Sequence, residues 1–195
     1  MMPATMKDIA RKTGLGLATI SKYLNGGNVR PKNKKLIDDA VKELNFVPNE
    51  FARSLKTRQS RTIGVLIPEL RNAFITSIIT IVEDLLRKQD YAVIVCDCRT
   101  DPALEKEAVS FLAHKRVDGL INMPTDHTGA HLAPMLESNT PVVLADRMLK
   151  TLAGQVSAVV VDNEDAAEKA TLRLLSAGHT DIGLILGNQG LYTAE

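Results

Sequence analysis

From residue 63 onward the chain alternates two hydrophobic periods, and this restricts its fold more than any other feature. Short apolar runs at 63–67, 91–96, 119–123, 142–145, 156–161 and 182–186 read as strands. Between them, at 73–89, 101–115, 129–138 and 164–177, apolar residues recur at helical spacing. Strands that are apolar along their length are buried on both faces, and helices in the connections supply the cover. The pattern predicts a doubly wound, mostly parallel sheet. Ligands of such sheets sit beyond the carboxyl ends of the strands. Those ends carry Glu69, Asn72 and Phe74, then Asp97 and Arg99, Asn122, Asp146 and Arg147, and Asp162. An aromatic face with forked polar side chains suits a sugar or another polar metabolite, which makes Asn72, Phe74, Asp97, Asn122, Asp146 and Arg147 the candidate ligand set. Asn72 and Asp101 are also suited to cap the helices that follow them.

The first 61 residues read differently. Thr5-Met6-Lys7-Asp8 has capping-box spacing ahead of a short helix. Gly14-Leu15-Gly16 makes a turn, residues 17–25 make a second helix, and Gly26-Gly27 ends it. Pro31 opens a third helix, which runs to about Asn45 with Leu36, Ile37, Ala40, Val41 and Leu44 at helical spacing. A glycine turn between the first two of three short helices is a helix-turn-helix layout. The second helix is small enough for a major groove about 12 Å wide. Leu17 and Ala18 lie at its start, where base edges are read, and offer apolar contact, while Lys22 one turn on can donate to guanine. Thr5, Thr19, Ser21, Asn25 and Asn33, with Lys32, Lys34 and Lys35, suit phosphate oxygens. An ordinary small helical bundle with a solvated basic face would show the same periodicity.

Charge sharpens the division. The chain is nearly neutral at +1, yet residues 1–61 hold 13 Lys and Arg against 5 Asp and Glu, and the remainder holds 11 against 18. A basic N-terminal module on an acidic body points to a polyanion partner at one end. Other chemistry is weakly signalled. The two cysteines, Cys96 and Cys98, cannot support a disulfide scaffold, and the four histidines show no metal-ligand spacing with them. No glycine-rich phosphate loop follows the first strand and no nucleophile elbow is present, so neither a cofactor, a metal nor catalysis is expected. The longest apolar run near a helix, 73–82, is half of what a membrane span needs. With no basic-then-apolar leader, the reading is a cytoplasmic, reducing setting and no membrane partner.

Particular residues then resemble a known family. Asp8-Ile9-Ala10 and the stretch from Gly14 through Thr19-Ile20-Ser21-Lys22-Tyr23-Leu24-Asn25 resemble the headpiece signature of the lactose-repressor/galactose-repressor (LacI/GalR) family. Leu44-Asn45-Phe46-Val47-Pro48-Asn49 and Ala52-Arg53-Ser54-Leu55 resemble its hinge. Ile63-Gly64-Val65-Leu66-Ile67-Pro68 resembles the first strand of its regulatory domain, and Gly178-His179 with Ile182-Gly183-Leu184-Ile185 a later landmark. The likeness covers essentially the whole chain. It implies an α plus α/β architecture: a headpiece at 1–47, a hinge helix and linker at 48–61, the first lobe of a periplasmic-binding-protein-like effector domain at 62–161, and the start of a second lobe at 162–195.

The resemblance also implies function: a homodimeric repressor on a near-palindromic double-stranded DNA operator, controlled by a small-molecule effector, often a sugar. Residues 50–56 are too few for a stable isolated helix, so the hinge is expected to be loose when free and helical on DNA. Asn49, Ala52 and Arg53 join the DNA-contacting set, and Leu55 matches the apolar wedge that opens the central base step. Helices at 73–89 and 101–115 would form the dimer face. Three departures stand out. Gly16 replaces a serine that caps the second helix, Lys22 replaces a forked arginine, and Tyr23 replaces a small aliphatic residue. The family's regulatory domain runs to about twice the length seen here, so the sequence reads as incomplete within the second lobe. Two other classes remain open: a solute-binding or sugar-processing protein with an unusual N-terminus, which turnover by residues 61–195 would reveal, and an architectural DNA-binding protein, which would bind all duplexes equally at matched salt.

Overall fold

The computed structural model describes residues 4–47 and 59–185. They belong to two compact units, divided after Thr57.

The first unit is three helices, α1 (Met6–Thr13), α2 (Leu17–Leu24) and α3 (Pro31–Glu43). The local chemistry expected of them is present. The Asp8 carboxylate accepts from the Thr5 N–H at 3.0 Å and from the Thr5 hydroxyl at 2.7 Å. Gly14 ends α1 at φ 70°, left-handed, with its N–H returned to the Ala10 carbonyl. At Gly27 a Cβ would lie 2.7 Å from Lys22 Cγ and 2.8 Å from the Lys22 carbonyl oxygen, so only glycine lets the chain fold back against the end of α2. Ile9, Ile20, Ile37 and Ala40 form a closed core with a contribution from every helix, ringed by Leu15, Leu24, Val41, Leu44 and Phe46. Tyr23 adds a polar tie, its hydroxyl donating to Asp38 of α3 at 2.6 Å. That bond, made to the acceptor, raises the Tyr23 pKa.

The second unit is a five-stranded sheet of β1 (Thr62–Ile67), β2 (Ala92–Asp97), β3 (Gly119–Asn122), β4 (Val142–Ala145) and β5 (Ser157–Val159). Its order is β2-β1-β3-β4-β5 and every pairing is parallel. The connections carry α4 (Ala73–Arg87), α5 (Pro102–Lys115) and α6 (Ala133–Glu137), with α7 (Asn163–Ser176) after β5. The sheet is covered on both faces. On one, Ile63, Val65 and Ile67 pack with Ile75, Ile78, Ile79 and Val82 of α4. On the other, Leu66, Leu120 and Leu144 pack with Val109 and Leu112 of α5 and Met135 of α6. Gly64 belongs to this second face: a Cβ there would lie 2.8 Å from Leu112 Cδ1, which marks how closely α5 approaches β1.

Three expectations are corrected. The stretch at 129–138 is not one helix but a 3-10 turn (Ala130–Leu132) followed by α6, because Gly129 enters at φ 74° and Pro134 has no N–H to continue the ladder. The strand expected at 156–161 is shortened to Ser157–Val159. The strand expected at 182–186 is not formed in its described part: residues 182–185 have no regular structure and no described strand beside them to pair with. Of the described residues after β5, none is buried, α7 included.

Candidate nucleic-acid interface and ligand cleft

On α2 the buried side is set by Ile20, with Tyr23 and Leu24 packed around it. Ala18, Lys22 and Asn25 lie away from it and are exposed, Leu17 is exposed at the first turn, and Thr19, Ser21 and, on α3, Asn33 are half-buried. An exposed leucine at the first turn of a helix, 46% accessible, is an apolar group held in water rather than in the core. No carboxylate among the described residues forms an ion pair with Lys22. Gly16, the N-cap, offers no side-chain acceptor to the first turn, yet its φ of −66° is open to any residue and a Cβ there would meet nothing within 4 Å. Asn25 closes the helix, its amide donating to the Ser21 carbonyl at 2.6 Å. The Thr5 hydroxyl is engaged with Asp8, so a phosphate oxygen would have to take that donor from it. This bond and that of the Thr5 N–H hold the Asp8 carboxyl below its ordinary pKa, helped by Arg11. Asn49, Ala52, Arg53 and Leu55, the expected hinge contacts, lie outside the described residues.

In the second unit the strand order reverses at β1, between β2 and β3, which is where a doubly wound sheet opens a ligand crevice. Phe74, 49% exposed, stands at the start of α4. Asn72 caps that helix, its side-chain oxygen accepting from Phe74 N–H at 3.0 Å and Ile75 N–H at 3.4 Å, and Asp101 caps α5 in the same way. Asp97 turns its carboxylate to the Arg99 N–H at 2.9 Å. Asp146 and Arg147 follow β4, with Asp146 at φ 67°. Arg147 reaches across to the loop after β3, its Nη1 donating to the Pro124 carbonyl at 2.9 Å, while Nε lies 4.0 Å from Asp146. That Nε is buried and has no acceptor.

Asn122 lies deeper than the other candidates, with its Oδ1 buried and without a partner. It sits on the α5 face of β3, fully buried, and its Nδ2 donates to His131 Nε2 at 2.9 Å. The two-residue alternation carries Leu120 and Asn122 to the same side of the strand. Asn122 belongs to a polar cluster that sequence reasoning missed. Glu105 of α5, 1% exposed, accepts from the N–H groups of Thr125 (3.0 and 3.1 Å) and Asp126 (2.8 Å). His131 lies between Glu105 and Asp126, its Nε2 3.3 Å from Glu105 Oε1 and its Nδ1 3.2 Å from Asp126 Oδ2. Burial pushes the Asp126 carboxyl up, but donation from the Thr128 hydroxyl and N–H and from His131 outweighs it and leaves the pKa lowered. One signal was available. Glu105, Val109 and Leu112 fall at i, i+4 and i+7, so Glu105 lies on the buried stripe of its helix. The cluster fastens residues 124–131, and with them the carbonyl that Arg147 grips. Cys98 is buried beside it, with its thiol pushed to about 12, first by desolvation and then by Glu105, so it is inert. Among the described residues no group of His, Cys, Asp and Glu could hold a metal ion, and no helix is long and apolar enough to cross a membrane.

Comparison with known proteins gives concordant results for both units. Residues 5–49 match the sequence model of "Bacterial regulatory proteins, lacI family", and residues 60–194 that of "Periplasmic binding proteins and sugar binding domain of LacI family". Similar curated proteins include the HTH-type transcriptional regulator RegA of Clostridium saccharobutylicum, 36% identical over 94% of this chain and 55% of its own length. Others are catabolite control protein A of Priestia megaterium, 32% identical over 95% of this chain and 56% of its own, and the transcriptional repressor PurR of Aliivibrio fischeri, 33% over 98% and 57%. The chain thus spans a little over half the length of these relatives. Among solved structures, the lac repressor dimer bound to operator and the anti-inducer ONPF superposes with a TM-score of 0.86, at 27% identity, over 99% of this chain and 58% of that one. The CelR–cellobiose complex superposes at 0.60 and 28% identity, over 98% and 57%. A helix-turn-helix unit and a parallel α/β unit, each matched by its own family model and joined in the same order as in these relatives, make this chain a member of the LacI family of bacterial transcriptional regulators.

Proposed function

We propose that the chain is the DNA-reading and first-lobe part of a dimeric repressor that binds a pseudo-palindromic operator under control of a small, sugar-like effector. The observation that carries this reading is the face of α2: Leu17, Ala18, Lys22 and Asn25 stand exposed while Ile20 and Tyr23 anchor the same helix from behind. In this reading Leu17, Ala18 and Lys22 meet base edges, and Thr5, Thr19, Ser21, Asn25 and Asn33 meet phosphates. Residues 48–61 form the hinge, in which Asn49, Ala52 and Arg53 contact DNA and Leu55 wedges the central base step. Two subunits join through α4 and α5, where Ile81, Leu85 and Phe111 are exposed apolar groups.

The effector binds in the crevice at the β1/β3 switch, on the ring of Phe74 and the fork of Arg147, with Asp146, Asp97 and the Asn72 amide as polar partners. The acceptorless Arg147 Nε supports this assignment, because a ligand oxygen there satisfies a buried donor. Asn122 is left out of the set. Effector binding shifts the hinge between its ordered and loose forms through a coupling on the order of 1–3 kcal/mol. The protein acts on DNA in the cytoplasm by binding, without catalysis. The test is selection of duplexes from a random pool at near-physiological salt. Enrichment of a two-fold symmetric site is expected, and a purely salt-sensitive, sequence-blind affinity would refute the reading.

A further inference from the structure

One carboxylate fastens the start of the second unit to the body of the sheet. Asp118, just before β3, accepts from the Ser60 N–H at 2.7 Å and the Ser60 hydroxyl at 3.0 Å through Oδ1, and from the Arg61 N–H at 2.9 Å through Oδ2. Its own N–H donates to the Thr62 carbonyl at 2.8 Å. From the other side, the Ala92 N–H donates to the Arg61 carbonyl at 2.8 Å and Asp90 lies 3.4 Å from the Arg61 guanidinium. Arg61 is thus gripped by residues entering both neighbouring strands. It sits at φ 51°, a conformation a non-glycine residue holds only where its surroundings impose it.

We propose that Asp118 is a positioning residue for operator recognition: it fixes the body end of the linker at Ser60, and so limits how far apart two headpieces can reach. The proposal rests on the operator reading above for its DNA consequence, and on the hydrogen bonds alone for the clamp. Releasing Ser60 in each of two subunits lengthens the two tethers together by about 7 Å, at roughly 3.3–3.6 Å per residue, because the Ala92 bond still holds the Arg61 carbonyl. That is about two base pairs at 3.4 Å per step. A clamped linker therefore selects one half-site spacing, and a released one tolerates more, because effective concentration depends on whether the tether matches the span.

The test uses the whole chain with Asp118→Ala and Asp118→Asn. Amide exchange of Ser60 and Arg61 is expected to rise roughly tenfold or more in Asp118→Ala, while Val65 and Leu66 in β1 stay protected. Asp118→Asn keeps one acceptor oxygen and is expected to retain Ser60 protection but lose that of Arg61. On the selected two-fold site, the affinity ratio between native spacing and spacing expanded by two base pairs is expected to fall several-fold in Asp118→Ala and partly recover in Asp118→Asn. Unchanged exchange at Ser60 and Arg61, or equal loss at Val65 and Leu66, overturns the clamp. Lost protection with an unchanged spacing ratio overturns the positioning role. If selection returns no two-fold site, the operator reading and the spacing role fall together, and the exchange data alone decide the clamp.

Discussion

Replacing Glu105 with alanine tests whether the buried polar cluster holds the rim of the crevice. The side chain is 1% exposed and accepts from two backbone N–H groups, those of Thr125 and Asp126, with His131 beside it. Thr125 is itself only 6% exposed, so its orphaned N–H finds little water. Each buried donor left without an acceptor costs about 1–3 kcal/mol. The two orphaned N–H groups together set a loss of about 2–6 kcal/mol for Glu105→Ala. Glu105→Gln keeps the volume and one oxygen but sets an NH₂ against one of the N–H groups, and should lose about half as much. In urea, with a slope of about 2 kcal/mol per molar, the alanine variant's midpoint for the second unit should fall by roughly 2 M. Circular dichroism follows the transition, and amide exchange at Thr125 and Asp126 localises it. Because Arg147 holds the Pro124 carbonyl, ligand affinity should fall as well, although Glu105 does not face the crevice. A cost for Glu105→Ala below about 1 kcal/mol, or retained protection at Thr125 and Asp126, would refute this account.

Gly64→Ala should destabilise the sheet by about 1–3 kcal/mol through overpacking, since the new methyl meets Leu112 Cδ1 at 2.8 Å. Combined with Leu112→Ala, itself costing about 3–5 kcal/mol, it should cost less than the sum, and strict additivity in urea unfolding would place the clash elsewhere. Lys22→Ala should weaken binding to the selected site by about 1–3 kcal/mol with little change in salt slope if Lys22 reads a base. A uniform loss on every duplex, with the slope reduced by about one, would make it a phosphate contact. Asp8 and Asp126 both have carboxyls held below their ordinary values. Their stabilising bonds are therefore complete above the unfolded carboxyl range near pH 4 and are lost as pH falls through the lower folded values. An NMR titration should show the start of α1 and the 124–131 loop loosening in acid before β1 does, and unchanged shifts there at pH 3 would count against it.

The sequence carried the order of elements well, because that order is written in apolar spacing and in residues with one local use. Gly14, Pro31, Asn72 and Asp101 each stop or start the helix their chemistry suits, and the strands at 63–67 and 142–145 are continuous apolar runs. What spacing does not show is the partner that an inward-facing polar residue meets. Asn122 looked like a strand-end ligand contact and is a buried partner of His131. Glu105, which no motif singles out, is among the most buried side chains present. The Tyr23–Asp38 bond joins residues 15 apart, so neither position signals it alone. At 182–185 the reason is another: the apolar pattern is real, but a strand exists only beside a neighbour, and no described strand lies there.

The buried clusters have a bearing on synthesis. Among the described residues, the headpiece core draws on nothing later than Phe46, and the sheet's clusters on nothing later than Val156. A ribosome adding about 5–20 residues per second makes everything the first needs roughly 5–20 seconds before it finishes the second. Folding can thus follow the order of translation, with each core closing on residues already made. During that interval a nascent chain carries a finished headpiece core and no sheet.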